Sequence, residues 1–295
     1  MQRVSKKVIS ILVCAVFLLT AVSPTLAAVL PTVAAGTTVY SNEKAKVDAS
    51  NAKDGYVMVA YNGAAKSRLK VRVTGPSGTV YTYDLNKNGN YEVFPLSDGN
   101  GKYTVGVYEN TSGNKYALAF STPVTVMLTN DFAPFLRPNQ YVNYSADSQV
   151  VKKAAELTKG KKSDLEKITA IYDFTVKTLT YDKKKAQTVQ SGYLPNVDQV
   201  LASKTGICFD YAALMTAMLR SQGIPTKLVV RYTGNVYHAW INTFIPEKGW
   251  VEGVIFFDGT TWKLMDPTFA SSAKQSQQIM EYIGNGSNYS AKYIY

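Results

Sequence analysis

Short runs in which apolar and polar residues alternate dominate the chain from Thr37 to about Val126. Successive side chains of a strand point to opposite faces, so each alternating run predicts a strand with one buried face. Seven such runs cover residues 55–61, 69–73, 80–83, 91–94, 103–108, 116–120 and 124–126. They predict an antiparallel β structure in this part of the chain.

The segments between these runs are rich in turn residues. Gly75-Pro-Ser-Gly78, Asn88-Gly89 and Asp98-Gly-Asn-Gly101 supply the positive φ angles that tight hairpins require. Seven strands separated by such turns are typical of a two-sheet sandwich. We therefore predict an antiparallel immunoglobulin-like β-sandwich over residues 36–127, with these three segments as hairpin turns.

The apolar spacing changes from two to three and four after residue 145, which predicts helices. A first helix is expected over 150–157, ended by Gly160, and a capping box at Ser163–Glu166 begins a second. A short third helix is predicted over 197–203. The proline-punctuated residues 128–145 are predicted to link the sandwich to a second domain, residues 146–295.

A further helix is predicted to begin at Cys208. Apolar residues recur at helical spacing up to Ser221, and Gly223 and Pro225 close the pattern. The segments 226–232, 237–245 and 261–265 alternate and are rich in β-branched or aromatic residues, so they are predicted to be strands. The second domain is thus expected to be α+β.

Residues 1–28 have the layout of a secretory signal peptide, with a basic start, an apolar run over 8–22 and small residues up to Ala28. The apolar run is shorter than the roughly 20 residues that a membrane-spanning helix needs. We expect the leader to be removed rather than kept as an anchor, leaving no transmembrane segment. The chain is then predicted to be a secreted bacterial protein, extracellular or associated with the cell wall.

The composition indicates a folded basic protein, with 46% hydrophobic residues, 18% charged residues and a net charge of +11. Loss of Arg3, Lys6 and Lys7 with the leader would lower that charge to +8. A positive surface outside the cell favours anionic partners such as wall polymers. Nucleic acid is not expected as a partner, because the lysines are scattered and no recognition motif is present.

Cys208 and His238 are rare residue types in this chain. The chain has two cysteines, of which Cys14 lies in the predicted leader, and one histidine. Exported proteins usually join their cysteines in disulfides or contain none, so a retained single thiol indicates a catalytic role. The alternative is a structural role, since free cysteines are often simply buried. At the first turn of a helix, backbone N–H groups favour the nucleophilic thiolate. Zinc catalysis is disfavoured because a catalytic zinc ion usually needs three protein ligands, several of them His or Cys, and the chain without its leader has one of each.

Four motifs in a fixed order carry a resemblance to a known family: Gly206-Ile-Cys208-Phe-Asp-Tyr-Ala, Arg220-Ser-Gln-Gly-Ile-Pro225, His238-Ala-Trp240 and Asp266-Pro-Thr268. Together they resemble the transglutaminase-like superfamily over about the last 150 residues. The resemblance implies a papain-like/transglutaminase-like α+β catalytic core. It also implies Cys208 as nucleophile, His238 as general base and Asp266 as the residue that orients the imidazole.

These roles predict an enzyme that forms an acyl-thioester from an amide of a protein, a peptide or a peptidoglycan stem peptide. Water as the second attacker would make it a peptidase or amidase, and an amine would make it a transglutaminase-type acyltransferase. The Cys208 backbone N–H is one expected oxyanion donor; Tyr181, Tyr193 and Gln199 remain open as the second. The alternative is a catalytically inert adhesion or scaffolding protein on the same fold.

We expect no cofactor and no metal. The run Asp84, Asn86, Asn88 copies the first half of a calcium loop, but position twelve, where such a loop has a bidentate Glu, is Pro95. We interpret the segment as a hairpin turn, with calcium as the less favoured alternative.

Overall fold

The computed structural model describes residues 29–64, 67–190, 192–233, 236–252, 256–257, 262–263 and 293–295, and gives residues 231–233, 236–238, 256–257 and 262–263 through their backbone. The predicted leader, Cys14 and the Asp266-Pro-Thr268 motif lie outside the described residues. In the part of the chain that is described, no helix is long and apolar enough to cross a membrane.

The described N-terminal region forms two four-stranded antiparallel sheets, here called the N-terminal sheets. The strands are β1 (Val39–Ser41), β2 (Ala45–Asp48), β3 (Tyr56–Tyr61), β4 (Leu69–Thr74), β5 (Val80–Leu85), β6 (Glu92–Pro95), β7 (Gly101–Ser112) and β8 (Lys115–Val126). Their order is β1-β2-β3-β6 in one sheet and β5-β4-β7-β8 in the other. The immunoglobulin-like type predicted for this region stays a prediction.

Strand β8 differs from the prediction, because the two runs 116–120 and 124–126 form one continuous strand. It pairs with β7 along its whole length, with register shifts at Val107/Tyr108 and at Asn110/Ser112. Pro123 interrupts the alternation in sequence, but β8 is the last strand of its sheet. A proline without an N–H is tolerated in an edge strand, so the strand continues through it.

Two of the three predicted hairpin turns are wrong. The turn at 75–78 does join the paired strands β4 and β5, which confirms that hairpin. The segments 86–91 and 96–100 instead carry the chain between the two sheets, since β6 belongs to a different sheet from β5 and β7. Gly89 and Gly99 do have positive φ, at 81° and 79°, but a glycine gives this freedom to a crossing as readily as to a hairpin.

The second half of the chain, here called the α+β core, contains five described helices: α1 (Gln149–Thr158), α2 (Asp164–Thr178), α3 (Lys183–Thr188), α4 (Val197–Ser203) and α5 (Cys208–Ser221). Its described strands are β9 (Thr180–Tyr181), β10 (Thr205–Gly206), β11 (Thr226–Thr233), β12 (Val236–Ile245), β13 (Gly249–Val251), β14 (Phe256–Phe257), β15 (Trp262–Lys263) and β16 (Tyr293–Ile294). One antiparallel sheet has the order β13-β12-β11-β16.

Helix α5 is the centre of the core, because nearly every residue of it is buried. Most of these buried residues are apolar, so other elements must cover the helix on all sides. Helices α1, α2 and α4 and strands β11 and β12 all pack against it. The predicted capping box of α2 is confirmed: the Ser163 hydroxyl accepts from the Glu166 N–H, and the Glu166 carboxylate accepts from the Ser163 N–H.

A group of aromatic rings joins the N-terminal sheets to the core. Tyr141, in the segment predicted to be a linker, stacks on Tyr295 at 4.0 Å between ring centroids. It also lies 5.7 Å from Tyr83 of β5 and 5.8 Å from Phe209 of α5. Each aromatic pair stabilises the junction by about 1 kcal/mol beyond the contribution of the surface area that it buries. The buried apolar residues of both regions accordingly form one continuous core.

Arg220, near the end of α5, is a buried cation at the same junction. It donates to the main-chain oxygens of Thr226 at 2.9 Å, Arg137 at 2.6 Å and Tyr295 at 2.7 Å. Burial lowers the pKa of its guanidinium to about 10, so the group stays charged at neutral pH. Its partners among the described residues are thus three main-chain carbonyl oxygens.

Replacing Arg220 by Met should destabilise the fold by about 3 kcal/mol, because three buried carbonyl groups would lose a charged donor. Urea unfolding followed by circular dichroism measures the change. Arg68→Met is the matched control, since Arg68 is exposed and donates to the Gly113 oxygen at 2.8 Å. Equal unfolding midpoints for the two variants would contradict this role of Arg220.

Candidate active site

Cys208 is the first residue of α5 and follows Ile207, whose extended backbone begins the helix. Its side chain is half-buried and forms no disulfide. It lines a cleft of about 660 Å³ between the core and the N-terminal sheets. The cleft wall includes Lys70 and Asp84 from the sheets, Tyr141 at the junction, and Tyr181 and Tyr193 from the core. The predicted nucleophile thus faces a space that a substrate segment can enter.

The surroundings of Cys208 favour the neutral thiol. Burial raises the pKa of the thiol above its usual range, and the nearby Asp210 carboxylate raises it further. Backbone hydrogen bonds from Ala239, Phe209 and Cys208 itself act in the opposite direction. The helix start therefore helps the thiolate as the sequence predicts, but loss of hydration outweighs it.

The hydrogen bond from Ala239 ties Cys208 to strand β12. Ala239 directly follows His238, whose backbone pairs with Arg231 of β11. The structure therefore brings the strand that carries His238 to the thiol, at the neighbouring residue. The His238 side chain and the whole of Asp266 lie outside what the structure describes, so their predicted roles stay predictions.

Tyr181 lies beside the nucleophile because the two short strands β9 and β10 pair. Tyr181 is in register with Gly206, and the Asp182 N–H donates to the Gly206 oxygen at 2.9 Å. Burial, together with the nearby charges of Cys208 and Asp210, raises the pKa of Tyr181 to about 12. Its hydroxyl is therefore protonated at neutral pH and can serve as a hydrogen-bond donor in the cleft.

Asp210 is a fully buried carboxylate two residues after the nucleophile. It accepts from the Ile207 N–H at 2.8 Å, from Lys185 Nζ at 2.7 Å and from the Tyr193 hydroxyl. Lys185 Nζ also donates to the Tyr193 hydroxyl oxygen at 2.6 Å. Burial by itself would lower the pKa of Lys185, but these hydrogen bonds raise it. The cation offsets a buried negative charge beside the thiol.

Sequence reasoning did not single out Lys185. Lys185 and Asp210 are 25 residues apart and belong to different helices, so no local pattern could pair them. The other residues considered for the site differ in whether they line the cleft. Tyr193 lines the cleft but donates to Asp210, whereas neither Gln199 nor the buried Trp240 is part of the cleft lining. Of the three tyrosine and glutamine candidates for the second oxyanion donor, Tyr181 fits best.

The calcium half-loop forms a chain of side-chain turns in the structure. The Asn86 side-chain oxygen accepts from the Asn88 N–H at 3.1 Å, and the Asn88 side-chain oxygen accepts from the Asn90 N–H at 3.0 Å. Asp84 forms an ion pair with Lys70 at 2.6 Å. Among the described residues no group of three or more His, Cys, Asp or Glu side chains could hold a metal ion. The absence of a cofactor stays a prediction.

A cysteine at the start of a buried helix, packed against an antiparallel sheet, defines an α+β core of papain-like/transglutaminase-like class. A family model, the Transglutaminase-like superfamily, matches residues 151–253. Over this region the chain is similar to the transglutaminase-like superfamily, whose members are typically cysteine-dependent enzymes.

The chain is similar to two longer bacterial proteins. It is 26% identical over 197 residues to Uncharacterized protein YebA of Bacillus subtilis (strain 168), a match that covers 57% of this chain and 26% of that protein. It is 27% identical over 98 residues to a Protein-glutamine gamma-glutamyltransferase of Pseudomonas aeruginosa, covering 28% of this chain and 13% of that protein. The chain thus spans about a quarter or less of these relatives.

Among solved structures, red sea bream transglutaminase matches with a TM-score of 0.29 and 12% identity, covering 72% of this chain and 48% of that one.

Replacing Lys185 by Met should raise the pKa of Cys208 further, because the Asp210 charge would lose its cation. We expect alkylation of Cys208 by iodoacetamide to slow about tenfold near neutral pH, which corresponds to a pKa shift of about one unit. The rate is measured across pH by mass spectrometry of the Cys208 peptide. Lys184→Met, at the exposed neighbouring lysine, is the control, and coinciding pH profiles for the two variants would refute this role.

Proposed function

We propose that this protein is an exported thiol-dependent enzyme with a Cys208–His238–Asp266 triad, which forms an acyl-thioester from an amide of a protein, peptide or wall stem peptide. The observation that carries the proposal is the position of Cys208, at a helix start, lining a cleft and hydrogen-bonded to the strand that bears His238. The match of residues 151–253 to the Transglutaminase-like superfamily model supports the same chemistry.

The raised pKa of the Cys208 thiol supports the need for a general base. Burial keeps the thiol neutral, so a nucleophile must be generated by proton transfer or by pairing with a cation. In the proposal, the His238 imidazole takes the proton from the thiol and Asp266 orients the imidazole. An isolated cysteine in the same surroundings would react slowly at neutral pH.

The proposed reaction has two stages. The Cys208 sulfur attacks the amide carbon, and the carbonyl oxygen becomes an oxyanion that accepts hydrogen bonds from the Cys208 N–H and the Tyr181 hydroxyl. His238 returns the proton to the leaving amine as the carbon–nitrogen bond breaks, which leaves an acyl-thioester. Water or a second amine then attacks the thioester and restores the thiol. The first outcome is hydrolysis and the second is amide transfer.

The setting that we propose is outside the cell. The predicted leader favours export, and the net charge of +8 that its removal would leave favours contact with anionic wall polymers. The cleft receives residues from both the core and the N-terminal sheets, which gives an extended substrate chain a wall on either side. We propose that the N-terminal region, of predicted immunoglobulin-like type, helps to hold protein or stem-peptide substrates.

Replacing His238 by Ala should move the pH profile of Cys208 alkylation upward. In the variant the rate should rise only near or above the usual cysteine pKa of about 8.5, because burial raises the pKa of the thiol and no base compensates. The wild-type chain should react at least one pH unit lower. Identical profiles that titrate like a free cysteine would favour the inert scaffold.

The second attacker can be identified directly. Incubation with a glutaminyl peptide and an isotopically labelled primary amine should give a product that carries either the label or a new carboxylate, read by mass spectrometry. Cys208→Ala should abolish both products. A product that persists in Cys208→Ala would rule out the thiol mechanism.

Replacing Tyr181 by Phe removes one proposed oxyanion donor. We expect kcat for the same peptide to fall about 100-fold, which is typical for loss of such a donor. Alkylation of Cys208 should change little, since it forms no oxyanion. Tyr116→Phe, in the N-terminal sheets, serves as a control. A Tyr181→Phe variant with unchanged kcat would exclude this hydroxyl from the reaction.

A further inference from the structure

An ion pair from the N-terminal sheets lines the same cleft as Cys208. Lys70 of β4 and Asp84 of β5 are direct cross-strand partners. Lys70 Nζ lies 2.6 Å from Asp84 Oδ1, and the two side chains are 26% and 45% exposed. Both residues belong to the cleft lining, so the region outside the catalytic core contributes charged groups to the candidate site.

The main chain of Asp84 is held in place from the junction. Its N–H donates to Gln140 Oε1 at 3.2 Å, and Gln140 Nε2 donates to its main-chain oxygen at 2.9 Å. Gln140 Nε2 also donates to Glu92 at 3.1 Å. The next residue, Tyr141, stacks on Tyr295. Because the backbone beneath the ion pair is fixed, a ligand would bind it without a large ordering cost.

Each partner keeps hydrogen-bonding capacity that the ion pair does not use. A lysine ammonium has three N–H donors, and the Lys70 ammonium uses one of them to donate to Asp84 Oδ1. Among the described residues, no donor contacts Asp84 Oδ2, which faces Gly192 across the cleft. A Cβ built on Gly192 would lie 3.8 Å from this oxygen. The ion pair Lys44–Glu109 differs, because its second carboxylate oxygen accepts from Tyr61.

The charge arrangement selects for a particular ligand. Opposite charges 2.6 Å apart largely cancel at a distance, so a ligand with a single charge is attracted by one partner and repelled by the other. A ligand with an ammonium and a carboxylate close together can pair with both partners at once, through charge-assisted hydrogen bonds to Asp84 Oδ2 and Lys70 Nζ.

We propose that Lys70 and Asp84 form a subsite for a zwitterionic substrate group, such as a free amino-acid centre on a peptide or on its side chain. This inference deepens the proposed function and rests on it for the identity of the bound group as substrate. The subsite places the specificity of the thiol chemistry partly on the N-terminal sheets.

Thiol–disulfide exchange at Cys208 tests the subsite without a substrate. The Cys208 thiolate attacks one sulfur of a small disulfide, a mixed disulfide forms, and the other half leaves as a thiolate that takes up a proton. Four probes differ in the charge of each half: cystine is zwitterionic, cystamine cationic, dithiodiglycolate anionic and hydroxyethyl disulfide neutral. Each rate, mapped to the Cys208 peptide, is divided by its rate with the urea-unfolded chain to remove intrinsic reactivity.

With the wild-type chain, the normalised rate for cystine should exceed those of the other three probes about tenfold, as two charge-assisted hydrogen bonds would allow. Lys70→Gln and Asp84→Asn should each remove most of this advantage. Lys44→Gln, which disrupts the matched ion pair outside the cleft lining, should keep it. Circular dichroism would show that all three variants are folded.

Several outcomes would overturn the subsite: equal normalised rates, a preference for a singly charged probe, a cystine preference that survives in Lys70→Gln and Asp84→Asn, or no exchange at all with the folded chain. The test is independent of catalysis, because His238→Ala should retain the cystine preference at a pH where its thiol reacts. A cystine preference without turnover of any amide would refute the proposed function and leave the zwitterion subsite standing.

Discussion

The candidate site depends on the hydrogen bonds and the ion pair that the buried carboxylate of Asp210 forms. A fully buried charge is stable only if its oxygens are hydrogen-bonded and its charge is compensated. The Ile207 N–H, Lys185 and Tyr193 meet these needs. By binding them, Asp210 fixes the first turn of α5, anchors α3 and orients a wall of the cleft. The same charge opposes ionisation of Cys208, so the fold couples stability to reactivity.

The cleft itself is a product of how the two regions pack. The aromatic contacts of Tyr141 with Tyr83, Phe209 and Tyr295 hold the N-terminal sheets against the core, and Arg220 joins three chain segments below them. Domain interfaces are common places for ligand sites, because two rigid surfaces can enclose a space that neither forms alone. Here the core supplies the thiol and the sheets supply a charged wall.

Local patterns determined much of the secondary structure in advance. The capping box of α2, the short helix α4 and the boundaries of α5 follow from residues within a few positions of each end, so the sequence predicted them closely. The strands near 226–245 followed from alternation. The motifs around Cys208 also indicated the superfamily whose model matches residues 151–253. These features depend on near neighbours, which a sequence displays directly.

The tertiary structure decided what distant residues do to one another. Glycines at 89 and 99 indicated turns, but the partners of β5, β6 and β7 decided that these turns cross between sheets. Lys185 could not be distinguished from its exposed neighbours until folding placed it beside Asp210. A helix start suggested an acidic thiol, whereas burial of Cys208 raises its pKa. Desolvation and charge pairing depend on three-dimensional surroundings, and the order of residues along the chain does not contain those surroundings explicitly.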